Sequence, residues 1–171
     1  MRLGHLSKRF FGSLWPRGPG AEAEAWVASV LSDSELKLWR RMSRPDRRHA
    51  AGVGRRVERA LGQEATVPVV AAALLHDVGK TAARLSTYGR VIATLAGAAA
   101  GPRMAAAWTQ GRGFTRRVGL YLRHADLGAD MLALAGSDPL TVAWAREHHL
   151  PSEQWTVPAA VGATLKAADD D

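Results

Sequence analysis

Cysteine is missing from this 171-residue chain. Its absence excludes a disulfide scaffold, a cysteine-ligated zinc site and a thiol nucleophile, and is compatible with any redox compartment. There is no Gly-x-Ser-x-Gly turn either, so no strained serine nucleophile is on offer. Long apolar runs are also lacking. The longest weakly polar stretch, Val91 to Ala100, stops at Gly101-Pro102, far short of the roughly 20 residues that cross a bilayer. Arg2 and the Lys8-Arg9 pair bracket too short an apolar stretch for a signal peptide, and no small-residue cleavage site follows. The expectation is a soluble, cytoplasmic chain. No internal repeat is visible, which argues against a solenoid, and no apolar/polar alternation persists beyond a few residues, which argues against strands.

Alanine-rich segments with helical punctuation take the place of strands. Ser32-Asp33-Ser34-Glu35 reads as a capping box opening a helix through about Met42. Asp138-Pro139 reads as an N-cap with proline at the first helical position. Helices are predicted over Pro45 to Leu61, from Phe114 closing on His124, and from Pro139 closing on His148 and His149 before Pro151. The length is that of one domain: a basic segment and linker over residues 1–20, then a helical domain over residues 21–171.

Charge is uneven. Residues 1–60 hold 13 Lys or Arg against 6 Asp or Glu, while residues 61–171 hold 10 of each. Eight arginines fall between Arg40 and Arg59. They form either a solvated face or a positive rim that draws an anionic substrate. Nucleic acid is the further reading of such a rim, but only Trp39 interrupts the arginines, so no stacking platform is evident. Leu3, Leu6, Phe10 and Leu14 recur at helical spacing with Lys8 and Arg9 on other faces. This short amphipathic segment, residues 2–15, is suited to a membrane surface, a partner or its own domain. The segment Ser86 to Gly113, with turns expected at Gly101-Pro102 and Gly111-Arg112-Gly113 around a short helix bearing Met104 and Trp108, is either a helical hairpin or a lid.

Five of the six histidines and two aspartates carry the functional signal. The apolar run Val67 to Leu75 delivers His76 and Asp77 side by side before Gly79, which is expected to end the helix as a left-handed C-terminal cap. At a helix end, neighbouring side chains can straddle one metal site. Neutral imidazole and carboxylate are standard donors for zinc, iron, manganese and related ions, and the two oxygens of Asp77 make it a natural bridge between two ions. The plainer reading of the pair alone is a hydrogen-bonded couple capping a buried helix. Against it stand His49, His124, His148, His149 and Asp169, gathered at helix ends beside Asp and Gly.

This order, His, His-Asp, His, His-His and a late Asp, resembles the HD superfamily of metal-dependent phosphohydrolases. The resemblance runs from about Arg40 to Asp171. It rests on Ala72-Ala73-Leu74-Leu75-His76-Asp77-Val78-Gly79-Lys80, on His124-Ala125-Asp126-Leu127-Gly128-Ala129-Asp130, on Leu165-Lys166-Ala167-Ala168-Asp169, and on the helix containing Arg48-His49-Ala50-Ala51-Gly52. It implies an all-α HD-domain bundle of about seven to nine helices. It also implies two divalent ions (Fe, Mn, Zn, Ni, Co or Mg): one held by His49, His76, Asp77 and Asp169, the other by His124 and His148 with His149, bridged by Asp77. The implied reaction is hydrolysis of a phosphate ester or anhydride, of a nucleotide, by hydroxide held at the two ions. Lys80 would be a phosphate contact, or else an exposed lysine favoured at a helix C-terminus. Arg48 is placed as a substrate-binding cation.

Departures from the subfamilies narrow the substrate. His148-His149-Leu150-Pro151-Ser152 does not continue into the Gly-Tyr-Pro segment of the cyclic-di-GMP phosphodiesterases, and Pro45 stands where some of those enzymes hold a third ion. The long extra segments of the (p)ppGpp hydrolases are not in these 171 residues. Size and ligand order look more like the small bacterial hydrolases of diadenosine tetraphosphate. Two alternatives stay open: a hydrolase acting on nucleic acid, and a non-catalytic module that binds a nucleotide or partner.

Overall fold

The computed structural model describes residues 18–171; the amphipathic segment of residues 2–15 lies outside them. The architecture is all-α. The described residues hold ten α-helices: α1 (Ala21–Val30), α2 (Asp33–Arg41), α3 (Arg44–Leu61), α4 (Val67–Leu75), α5 (Lys80–Ala83), α6 (Thr87–Trp108), α7 (Gly113–Leu122), α8 (His124–Leu134), α9 (Pro139–Glu147) and α10 (Ala159–Asp170). Among these residues no helix is long and apolar enough to cross a membrane.

Helix α4 explains the layout. Every residue from Val69 to Leu75 is buried, and a helix apolar all round must be surrounded by others. It is covered by α3 and α9, with α1, α2 and α10 touching it at other points. Trp39, Leu74, Leu75 and Leu132 anchor one part of the core, and Val53, Val57, Trp144 and Leu165 another. Each fully buried large apolar side chain stabilises by about 2 to 3 kcal/mol. Because α4 sits in the middle, the residues at its C-terminal end are delivered to the centre of the bundle.

The helix starts follow the sequence closely. Ser32 and Glu35 make the reciprocal capping box, Ser43 accepts from the Asp46 amide at the start of α3, and Asp138 accepts from Leu140 at the start of α9. Segment 86–113 holds one helix, α6, and is not a hairpin in itself, and Met104 and Trp108 belong to that helix; the hairpin is made with α7, which packs along it over a small core of Ala83, Leu85, Ala93 and Val118. Helix α6 is longer than expected, but at Gly101 the backbone leaves helical geometry (φ 78°, ψ 173°), so the expected turn survives as a kink.

Two local expectations are corrected. Gly79 is not a left-handed cap: its φ is −64° and ψ −19°, and the chain turns tightly from α4 into α5. Glycine is required there for space, since a Cβ would lie 1.9 Å from the His124 carbonyl oxygen and 2.6 Å from the Gly128 nitrogen. His124 does not close α7 but opens α8, because the backbone leaves helical geometry at Arg123 (φ −104°, ψ 20°). Both corrections have one cause, the direct backbone contact between the α4–α5 turn and the start of α8.

Candidate metal centre

His49 comes from α3, His76 and Asp77 from the end of α4, His124 from the start of α8, His148 and His149 from the end of α9, and Asp169 from α10. The structure brings all seven into one pocket. The ligand atoms of His49, His76 and Asp169 lie within 4.8 Å of one another, and so do those of His124, His148 and His149. Ligands about 2.1 Å from one ion are themselves about 3.4 to 4.2 Å apart, so each trio is near the spacing that one ion needs.

Asp77 stands between the trios and divides its oxygens. Its Oδ2 is 3.4 Å from Nε2 of His76, and its Oδ1 is 3.5 Å from Nε2 of His124 and 3.7 Å from Nε2 of His148. On the first side, Oδ1 of Asp169 is 2.9 Å from Nε2 of His49 and 3.5 Å from Nε2 of His76. Asp169 is buried, whereas its neighbour Asp170 is exposed and pairs with Lys166. The last aspartate facing the pocket is therefore Asp169.

Three imidazoles are oriented by one device. Nδ1 of His76 donates to the Ala73 carbonyl at 3.0 Å, Nδ1 of His124 to that of Tyr121 at 2.7 Å, and Nδ1 of His148 to that of Ala145 at 2.9 Å. A carbonyl can only accept, so the proton is on Nδ1 and, in the neutral ring, the lone pair on Nε2 faces the pocket. That is the orientation outer hydrogen bonds impose on ligating histidines. Each acceptor lies three residues back, where an end-of-helix carbonyl has no intrahelical partner. His124 Nε2 is then an acceptor, so the 3.0 Å contact from Nε2 of His149 places that ring's proton on Nε2. Binding through that atom would require His149 to give up this proton.

Nε2 of His76, Oδ1 of Asp77 and Nε2 of His148 are buried without a hydrogen-bond partner. Each such atom costs about 1 to 3 kcal/mol. Three converging on one small space form a donor set that can hold a metal ion. Burial alone would raise the Asp77 carboxyl, but the Lys80 ammonium and His76 outweigh it and hold it well below the usual carboxylate range. Burial also opposes charge on His76, yet Asp77 and Asp169 lift it to about 10. His148 is pushed well down by burial and by His76, and His149 down to about 4, mainly by burial and then by His124. His148 and His149 are thus held neutral on one side, while on the other the carboxylates of Asp77 and Asp169 hold the positive charge of His76.

Lys80 is not an exposed end-of-helix lysine. It opens α5, its side chain is largely buried, and Nζ donates to Oδ2 of Asp77. Although burial disfavours its charge, Asp77 raises its pKa, so the ammonium persists at the edge of the pocket. Arg48, one residue before His49 on α3, is half-buried.

Several residues that support the site were not legible beforehand. Glu147, buried just before His148, accepts from the Thr156 amide at 2.7 Å and from its hydroxyl at 2.6 Å, pinning the chain after the His-His turn. Arg56, two turns beyond His49 on α3, donates to the Ala168 carbonyl at 2.9 Å and holds the end of α10 where Asp169 sits. Only the i, i+7 spacing of His49 and Arg56 pointed to a shared face. The arginine-rich region is partly committed elsewhere: Arg47 pairs with Glu24, and Arg55 pairs with Glu58 and stacks 3.9 Å over the Trp26 ring. Trp39 is fully buried with Nε1 donating to Glu24, so it offers no ring to a base.

No protein-family model, curated protein or solved structure matches this chain.

Proposed function

We propose that this chain is a metal-dependent phosphohydrolase of the HD type, cleaving a phosphate ester or anhydride of a nucleotide at a dinuclear centre. The observation that carries the reading is the division of Asp77, one oxygen toward each trio of candidate ligands. His49, His76, Asp77 and Asp169 would hold one ion; Asp77, His124, His148 and His149 would hold the other. Five imidazoles against two carboxylates favour iron, zinc, nickel or cobalt over magnesium and manganese. Bound there, two divalent ions supply an acidified water and a Lewis-acid clamp for a phosphoryl group.

The remaining roles belong to the chain. Asp77 holds no proton at neutral pH and so is ready as a bridge. Lys80 Nζ keeps its proton beside Asp77 and is placed to hold a phosphate oxygen as a point charge. His49 and His149, the more exposed imidazoles, mark the side from which substrate enters. The buried Trp39 favours a nucleotide over a nucleic-acid strand.

The test is a screen of mononucleotides, dinucleoside polyphosphates and oligonucleotides with the metal-loaded protein, using Asp77→Ala as the blank. Release of phosphate or nucleotide from the small substrates by wild type and none by Asp77→Ala is expected. Cleavage confined to oligonucleotides would move the reading to nucleic acid. No turnover of any class, with metal bound, would leave a binding module.

A further inference from the structure

Positive charge and exposed apolar surface meet on the hairpin of α6 and α7. Residues 61–171 hold ten basic and ten acidic residues, yet the stretch 78–125 has eight of those basic residues and none of the acidic ones. Four of the eight are committed: Lys80 to Asp77, Arg90 to Asp46, Arg123 to Asp126 and Arg117, through Nε, to the Ala83 carbonyl. The other four, Arg84, Arg103, Arg112 and Arg116, are exposed, and the hairpin offers no carboxylate to pair with them.

The same hairpin leaves large apolar side chains in solvent. Tyr88, Val91, Ile92 and Leu95 are 67, 40, 53 and 66% exposed, and their i, i+3, i+4, i+7 spacing sets them in one stripe along α6. The opposite face, with Ala93, packs on the α7 side. Arg84 stands four residues before Tyr88, and Arg103 lies just past the kink at Gly101. Arg112 and Arg116 bracket Phe114, itself 49% exposed, at the start of α7. A patch of large exposed apolar side chains marks a contact surface, and its basic surroundings specify the sign of what it meets.

We propose that this hairpin docks on the surface of an anionic lipid bilayer, with α6 lying in the plane of the interface, its apolar stripe toward the acyl chains and the four arginines among the headgroups. Apolar side chains with basic neighbours hold a helix at an interface rather than across it, and among the described residues no helix is long and apolar enough to cross. The arginines need not share one plane, because charges within a Debye length of the surface, about 10 Å at about 0.1 M salt, all contribute to the attraction. Charge complementarity decides against the other occupants. A second copy would bring two such hairpins together with no carboxylate in either to offset the arginines. Nucleic acid would satisfy the arginines but leave Val91, Ile92 and Leu95 against phosphates.

The full chain is sedimented with vesicles of phosphatidylcholine containing phosphatidylserine, and with vesicles of phosphatidylcholine alone. Binding to the first and not the second is expected, falling as salt is raised. Ile92→Asp combined with Leu95→Asp, and Arg112→Glu combined with Arg116→Glu, are each expected to weaken it at least about tenfold with unchanged circular dichroism. Because the chain has no cysteine, an environment-sensitive dye can be attached to Leu95→Cys or, as a control, to Leu134→Cys, which is 90% exposed on α8. A blue shift with the anionic vesicles is expected for the dye on Leu95→Cys alone. Absence of binding to anionic vesicles would overturn the proposal, whether the protein instead retards an oligonucleotide, forms a dimer that the paired aspartates disperse, or does neither. So would binding that either pair of substitutions leaves unchanged, or an equal shift of both dyes, since each would place the contact elsewhere in the chain.

Discussion

Asp77 is the residue on which the centre turns. It is buried, ionised and faces both trios, and it is also the partner of the largely buried Lys80, so its replacement removes the carboxylate common to the two trios and leaves that ammonium unpaired. Asp77→Ala is expected to retain the helical far-ultraviolet spectrum and lose both bound metal and turnover; retained activity would show that the site is misassigned. Gly79 makes the complementary case for space. With a Cβ 1.9 Å from the His124 carbonyl, Gly79→Ala must force the α4–α5 turn away from α8. A loss of at least about 2 kcal/mol is expected, within the range of overpacking costs, read from the urea midpoint. An unchanged midpoint would mean that the two backbones are not in contact. Sequence alone singled out the seven side chains that the fold gathers, because most stand at or next to helix ends, a pattern visible in one dimension, although His49 lies inside α3. It misread Gly79, because a close approach between residues 45 apart leaves no local trace and a glycine after a helix also fits a left-handed cap.

Five helices of the bundle, α3, α4, α8, α9 and α10, both pack and aim a candidate ligand. Helix α9 ends where the buried Glu147 carboxylate grips the exposed Thr156, and Glu147→Ala would remove both of these bonds to a charged acceptor. The expected cost is about 2 kcal/mol, seen as a fall of about 4 to 8 °C in the melting midpoint; no fall would contradict the pinning role. Helices α3 and α6 are tied by Asp46 and Arg90. Although burial alone would raise the Asp46 carboxyl, Arg90 lowers it below its ordinary value. Its stabilising contribution is therefore complete above that ordinary value and is lost as pH falls through the folded one. Asp46→Asn is expected to be less stable than wild type by about 2 kcal/mol at neutral pH, with the gap closing in acid. A gap independent of pH would assign the cost to packing. Two helix starts were legible because Ser32 and Asp138 cap locally. The break at Arg123 was not, since tertiary contact with Gly79 sets it.

For the molecule as a whole, the all-α bundle was legible from period and punctuation, while the outer face of α6 was hidden in a stretch that reads as an ordinary alanine-rich helix. The buried, unpartnered atoms of His76, Asp77 and His148 mean that the metal-free bundle carries an unsatisfied centre. A ligand that binds only the folded state stabilises it by mass action, by about 2.7 kcal/mol at a hundred times its dissociation constant. Chelation is thus expected to lower the melting midpoint of wild type by roughly 5 °C or more and to leave Asp77→Ala unmoved. The most direct measurement is the metal content of purified wild type, Asp77→Ala and His124→Ala by elemental analysis. Two equivalents of a transition metal in wild type, none in Asp77→Ala and about half the wild-type content in His124→Ala are expected from a centre bridged by Asp77. Wild type that takes up no metal after reconstitution, or metal retained in full by Asp77→Ala, would contradict it.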